Sequence, residues 1–207
     1  MKPFEIEIES FRIIDEEVGA HNYSDDEWSI RRRMIHTSAD FEYKDSVRVN
    51  GDAIEKGIAA ILNGKNIITD TNMAKSGIRS KSINGYGGDV FCLISDPDII
   101  KKAKSEEITR ARASVDASIK MMDGGIYAVG NAPTALIRLI ELIKENKIKP
   151  ALILGFPVGF VNAAESKEML RELDVPYITN IGRKGGSNIA AAVVNALIIL
   201  AEVKGKV

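Results

Sequence analysis

The stretch Arg31-Arg32-Arg33-Met34-Ile35-His36-Thr37-Ser38-Ala39-Asp40 gathers three guanidinium groups, an imidazole, two hydroxyls and a carboxylate. Those groups suit gripping an anionic ligand and moving a proton. Arginine holds carboxylates through two parallel N–H bonds, and histidine exchanges protons near neutral pH. Cations beside His36 disfavour a permanent imidazolium and so keep the ring available for proton exchange. The only other histidine, His21, lies in Gly19-Ala20-His21-Asn22 and reads as a solvated turn residue. Two histidines exclude a site of three histidine ligands within one chain, and no metal-ligand set is read.

A helix over about residues 24–38 must present these groups. Ser24-Asp25-Asp26-Glu27 is a capping box, and its acids suit the positive end of the helix dipole. Residues three and four apart share a helix face, so Ser29, Arg33 and Thr37 form one stripe, with His36 one turn beyond Arg33. Three consecutive arginines fan over about 200°, at roughly 100° per residue. They cannot all face one ligand. A plain surface helix accounts for Arg31 and Arg32; Arg33 is the one placed to act with His36.

Composition sets the outer limits. A chain of 207 residues, 45% of them hydrophobic, can bury a sizeable core, and residues 1–207 are read as one domain. A formal net charge of -1 argues against binding nucleic acid by bulk attraction. One cysteine, Cys92, excludes an internal disulfide and a multi-cysteine metal site; it reads as inert core within a strand. The first residues, Met1-Lys2-Pro3-Phe4-Glu5, carry no secretory leader pattern. The longest apolar run, Ile189 to Ala201, is broken by Asn195 and falls short of the ~20 residues a bilayer needs. The expectation is a soluble cytoplasmic protein with neither membrane nor nucleic acid as partner.

Along the chain, residues 1–23 read as an extended lead-in, with Phe4, Ile6 and Ile8 alternating against Glu5, Glu7 and Glu9. A short helix then opens near Ser10, a candidate cap. After a helix over 52–62 that stops at Asn63-Gly64, the pattern changes. Short apolar runs at 66–69, 89–94, 125–129, 151–154 and 176–179 alternate with helical segments at 97–104, 106–122, 132–146, 162–173 and 187–204. Continuous apolar strands separated by helices predict a parallel sheet covered on both faces. The expected fold is a five-stranded, three-layer α/β/α sandwich.

Ligands of such sheets bind beyond the carboxyl ends of the strands. Here those ends read Thr69-Asp70-Thr71-Asn72-Met73, Gly130-Asn131-Ala132-Pro133-Thr134, Gly155-Phe156-Pro157-Val158-Gly159 and Gly182-Arg183-Lys184-Gly185-Gly186-Ser187. Glycine lets backbone amides approach a ligand closely, and the last loop adds two cations before a helix N-terminus, which favours an anion. Turn chemistry alone also produces glycine-rich loops, so the inference rests on several of them sharing one edge. Arg110 begins a helix after the second strand. The last loop is not a phosphate loop of the G-x-x-x-x-G-K-[ST] type, and no G-x-G-x-x-G follows a strand. Asp70 would repel a flavin phosphate, and a phospho-acceptor receiver would carry an aspartate where this chain has Asn131.

Taken together, Ser10-Phe11-Arg12-Ile13-Ile14, Arg33-Met34-Ile35-His36, Asp70 with Met73 and Gly77, Thr109-Arg110, Gly130 to Leu136, Gly155 to Val161 with Ala164-Glu165-Ser166-Lys167, and Gly182 to Ser187 with Asn195-Ala196-Leu197 resemble the precorrin-8X methylmutase family of corrin biosynthesis. The resemblance implies a flavodoxin-like homodimer. It also implies an isomerase that moves a methyl group from C-11 to C-12 of precorrin-8X or cobalt-precorrin-8, giving hydrogenobyrinate or cobyrinate. It maps the family's catalytic histidine onto His36 and its substrate-contacting serine and arginines onto Ser10, Arg33 and Arg110. Family members often have serine where this chain has Ala111. Thr37, Asn131, Thr134, Gly155, Pro157, Gly159, Arg183, Lys184, Gly185, Gly186 and Ser187 complete the expected substrate-contacting set. The partner is then a flat tetrapyrrole-derived ring edged with carboxylates, and no cofactor is called for. A rearrangement within one molecule needs no nucleophile and no hydride carrier; orientation and transient protonation lower its barrier. A non-catalytic corrinoid carrier would use the same binding residues.

Overall fold

The computed structural model describes residues 3–205; the first two residues of the expected lead-in lie outside them. The helices are α1 (Pro3–Val18), α2 (Asp25–Ser38), α3 (Tyr43–Ser46), α4 (Ala53–Leu62), α5 (Asn72–Gly77), α6 (Ser80–Gly85), α7 (Pro97–Ser105), α8 (Arg110–Ala117), α9 (Pro133–Lys144), α10 (Ala163–Arg171) and α11 (Ser187–Lys204). The strands are β1 (Val47–Val49), β2 (Ile67–Thr69), β3 (Val90–Phe91), β4 (Ile126–Val129), β5 (Leu152–Gly155) and β6 (Tyr177–Asn180).

The strands form one mixed sheet in the order β1-β6-β5-β4-β2-β3. Five run parallel, as the apolar runs predict. The expected all-parallel, five-stranded sheet is corrected by β1, which pairs antiparallel with β6 through Val47 opposite Asn180 and Val49 opposite Ile178. A three-residue edge strand with only Val47 fully buried has too little apolar signal to be read from sequence.

Alternate residues of the inner strands feed two cores. Ile67, Ile126, Ala128, Leu152, Leu154 and Ile178 meet α4 and α11 on one face. Ile68, Tyr127, Val129, Ile153 and Tyr177 meet α8, α9 and α10 on the other. Burial on both faces is why these strands read as unbroken apolar runs. α11 lies on the first face and carries α2 on its outer side, and α1 packs against α2 in turn. α11 is long and apolar enough to cross a membrane by length and composition, but 56% of that window is buried inside the fold.

The extended lead-in is also corrected: it is the helix α1. Phe11, Ile14 and Val18 supply its helical period against the core, while Ile6, Ile8 and Ile13 remain exposed. The alternation near the N-terminus therefore reflects no buried face. Ser10 is no cap, because its hydroxyl donates to the Ile6 carbonyl at 2.8 Å within that helix. The helix expected over 106–122 breaks at Glu107, whose φ is 52°, and restarts at Thr109, which caps α8. Cys92 lies just past the two-residue edge strand β3 and is half-buried, not enclosed within a strand. His21 is half-buried and not a freely solvated turn residue: its ring lies tilted on Trp28 at 4.3 Å and stacks on Tyr23 at 5.4 Å.

Arg31 overturns the plain-surface reading most directly. It is 4% exposed. Its guanidinium donates to Glu27 and to the carbonyls of Lys44 and Val47, tying α2 to α3 and to the edge strand. Removing one partner of a buried charged network strands the other groups without hydrogen bonds, so Arg31→Met is expected to cost about 2–4 kcal/mol. Arg32→Met, on the half-exposed side, should cost under about 1 kcal/mol. Urea-unfolding midpoints of the two variants against the parent chain check the difference.

Candidate active site

The helix α2 is set where the capping residues specify. The Ser24 hydroxyl accepts the Glu27 amide at 3.3 Å. Glu27 turns its carboxylate to Arg31. Asp15 fixes the pairing with α1, accepting Trp28 Nε1 at 2.9 Å and Arg32 at 2.7 Å. The arginine fan thus resolves into three directions. Arg31 points inward, Arg32 points to α1, and Arg33 meets Glu7 at 2.8 Å.

Arg33 and His36 line one hollow of about 240 Å³ together with Thr37, Gly77, Asn188, Ala191, Ala192 and Asn195. His36 is exposed, and its ring stands edge-on to Phe11 with centroids 5.2 Å apart. Among the described residues no hydrogen-bond partner is recorded for either ring nitrogen. Phe11 also lies under the Arg32 and Arg33 guanidiniums at 4.4 and 5.2 Å, so one aromatic ring spaces two cations and the imidazole. Alanines 191 and 192 of α11 form an apolar floor. Asn195 is occupied in holding the α5–α6 junction, donating to the Gly77 carbonyl at 2.8 Å and accepting the Arg79 amide at 2.9 Å.

A second cleft, of about 580 Å³, opens over the ends of β2 and β4 and is lined by Arg110, Asn131, Thr134, Val158 and Phe160 among others. Thr109 places Arg110: its oxygen accepts the Arg112 amide at 3.1 Å while its hydroxyl donates to Thr134 at 3.0 Å. Asp70 places the loop beside it. Its carboxylate is 1% exposed and accepts the amides of Gly130, Asn131 and Ala132 at 2.8, 2.9 and 2.7 Å. Burial pushes the Asp70 carboxyl up from its ordinary range, against three amides that pull it down. Asp70 therefore fills an internal anion position. Ala111, at the back of this cleft, packs into the core.

The remaining expected residues divide. Gly155 lies inside the sheet, where an added Cβ would come 2.7 Å from Leu170. Pro157 is also buried. The Gly159 and Gly186 amides already donate to the carbonyls of Arg183 and Phe156, and Gly185 packs so close to the Phe156 carbonyl that a Cβ would stand 2.3 Å from it. These glycines knit two loops together. Arg183 is exposed, 5.6 Å from the centre of the Phe160 ring. Lys184 reaches back to Asp40 at 2.5 Å and Glu42 at 2.9 Å, and that amine holds the Asp40 carboxyl below its ordinary range. Ser187 bonds Thr71 across 2.8 Å. Thr71 lines the second cleft, and Ser187 is the chain neighbour of Asn188 in the first hollow. Ser10 lines neither.

Sequence reasoning passed over Glu7, Asn188 and Phe160. Asn188 and Asn195 are seven residues apart, polar positions bordering or interrupting an apolar helix, and that was the available signal. Glu7 carried none, because its place depends on α1 being helical.

A family model described as precorrin-8X methylmutase matches residues 5–200. The chain is 50% identical over 202 residues to a cobalt-precorrin-8 methylmutase of Priestia megaterium, covering 98% of this chain and 90% of that one. It is 44% identical to a cobalt-precorrin-8 methylmutase of Leptospira interrogans, covering 97% and 95%. A crystal structure of a precorrin-8x methyl mutase from Thermus thermophilus superposes with a TM-score of 0.91 at 45% identity, covering 97% of each chain. The chain belongs to the precorrin-8X methylmutase family. In this methylmutase fold the exposed imidazole lies in the hollow between α2 and α11, and the loops after β2 and β4 line the second cleft.

Asp70→Asn puts an NH₂ group where at least the Gly130 amide now donates, which forfeits that buried hydrogen bond and sets two donors face to face. A loss of about 2–3 kcal/mol is expected. Chemical shifts of the Gly130, Asn131 and Ala132 amides should move most, and heteronuclear NMR with thermal unfolding checks both.

Proposed function

We propose that the chain moves the C-11 methyl group of precorrin-8X or cobalt-precorrin-8 to C-12, with His36 giving a proton to the macrocycle and taking it back. The observation that carries this reading is that His36 is exposed in the same hollow as Arg33 and Thr37. The imidazole is reachable and lies beside the guanidiniums of Arg32 and Arg33 across the Phe11 ring. A 1,5-sigmatropic shift breaks one C–C bond and forms another within a single molecule. It consumes no co-reactant, so the protein needs only to hold the ring and to ease charge development in its conjugated system.

Roles follow from placement. Arg33 and Arg110 grip peripheral carboxylates at two separated points, with Arg183 and Lys184 at a third. Asn131, Thr134, Thr37 and Ser187 offer hydrogen bonds between them. Gly155, Pro157, Gly159, Gly185 and Gly186 shape the loops, and Ser10 steadies α1 behind Arg33. The first hollow alone is smaller than the roughly 300–1,000 Å³ usual for ligand pockets. A flat macrocycle must therefore extend across the Thr71–Ser187 pair toward the second cleft.

The wider expectations join this proposal. Residues 1–207 form one domain. Its five parallel strands, counted in chain order, lie 2-1-3-4-5, the order of flavodoxin-type sheets, to which β1 is added. The protein works in the cytoplasm as a homodimer, without nucleic acid or membrane. Ile6 and Ile13, exposed on one side of α1, support a partner surface there.

His36→Ala is expected to lower kcat by about 10²–10⁴ or more while leaving macrocycle binding within a few-fold of the parent. Arg33→Met is expected to raise KM by only about 3–10-fold, the net gain left when a substrate carboxylate replaces Glu7 at the guanidinium. Spectral change of the substrate isomer, metal-free and cobalt-containing, followed in a single turnover, measures both. A parent chain that binds the isomer and leaves its spectrum unchanged would be a carrier, and undiminished turnover in His36→Ala would remove His36 from the mechanism.

A further inference from the structure

We propose that Lys167 is a positioning residue for the loop 182–187: its buried ammonium gathers the loop's carbonyls to one point and so sets where Arg183 meets the substrate. Lys167 lies on α10 and is fully buried. Its Nζ donates to Asn180 Oδ1 at 3.1 Å, to the Gly182 carbonyl at 2.9 Å and to the Lys184 carbonyl. Asn180 closes the network, donating to the Ile181 carbonyl at 3.1 Å and the Lys184 carbonyl at 2.9 Å. An ammonium has three donors, and three acceptors from residues 180–184 meet them. The loop carries its cations outward because its carbonyls turn inward around this one nitrogen.

Among the described residues, no carboxylate pairs with this ammonium. β6 brings the neutral Asn180. The loop brings Lys184, whose amine turns to Asp40 and Glu42, and the exposed Arg183. On α9, Arg138 and Glu141 pair with each other and with Asp116 and Arg112, and Lys144 lies in its last turn. On α10 itself, Glu168 pairs with Arg171, and Glu165 is exposed. Burial pushes the Lys167 amine down to about 8. A neutral amine has two N–H donors for the same three acceptors, so the loop loosens as pH rises through that value.

Linkage gives global stability the opposite sign. Between about 8 and the ordinary lysine value near 10.4, the unfolded chain binds more protons at this residue than the folded one, so Lys167's share of stability increases with pH. A lysine that serves folding alone would leave KM unmoved over that window.

The proposal rests on the reading that Arg183 contacts substrate, so Arg183→Ala is the control. Three measurements are made on the full-length protein with the metal-free substrate. Lys167→Met is expected to raise KM about tenfold with a smaller change in kcat, as a displaced grip would, and to speed amide exchange in peptides spanning 180–187. The parent chain, which needs no substitution to fold, is expected to show KM rising and exchange in that loop accelerating between pH 7.5 and 9.5, after correction for intrinsic rates, while its unfolding midpoint does not fall. Unchanged KM in Lys167→Met, or loop exchange and KM both flat across pH 8 in the parent, overturns the proposal while Arg183→Ala still raises KM. Unchanged KM in Arg183→Ala overturns the substrate reading itself.

Discussion

A charge removed from water has to regain its hydrogen bonds inside the protein. Two side chains near the strand ends live under that constraint, each without an ion-pair partner among the described residues. Asp70 is surrounded by the amides of residues 130–132. Lys167 is surrounded by carbonyl oxygens of the chain from Asn180 to Lys184. Each turns one polarity of the backbone inward. Irregular loops otherwise have many arrangements of similar energy, and a buried ion that tolerates no missing partner removes most of them. The sheet sets the positions of the strand ends; these two ions set the conformations of the loops that leave β4 and β6.

The histidine-bearing helix is fixed differently. α2 packs chiefly on α11, which itself lies on the sheet. Three attachments hold it: the Ser24 cap at its start, the Asp15 bridge to α1, and Arg31 reaching to the carbonyls before and within β1. The Lys184 pairing with Asp40 and Glu42 joins the chain just past α2 to the loop after β6. Through that pairing, the element carrying His36 and the loop carrying Arg183 are referenced to each other as well as to the sheet.

Much of this was legible in the chain. Ser24, Asp96-Pro97 and Asn63-Gly64 mark helix ends that the structure places within a residue of the reading. The unbroken apolar runs gave five strands because both faces of each are buried. Arg33, His36 and Thr37 share a hollow as helical spacing requires. What was not legible depended on partners distant in sequence. β1 becomes a strand only beside β6. Arg31 is buried only because α3 and β1 fold over it. The glycines of the strand ends looked like ligand-facing amides. Gly185 and Gly155 instead let the chain pass a carbonyl and a leucine, and the Gly159 and Gly186 amides are engaged within the protein. A glycine required for close approach of two protein segments and one required for approach of a ligand are indistinguishable in sequence.

The pairing of Arg33 with Glu7 bears on selectivity. An arginine with a 20% exposed side chain and no partner would be costly in the empty site; Glu7 supplies a carboxylate and holds the guanidinium beside His36. A substrate carboxylate that takes its place exchanges one charged pair for a similar one, so the net gain from that single contact is small. Glu7 is more exposed, at 42%, and returns to water on release. In the proposed reading, recognition of the macrocycle comes from several grips made together, at Arg33, at Arg110 and at the loop after β6, around a rigid ring whose ordering cost is borne once. A ligand with one carboxylate meets only the exchange at Arg33 and gains little. Under the proposed function, a ring bearing many of them gains at each point.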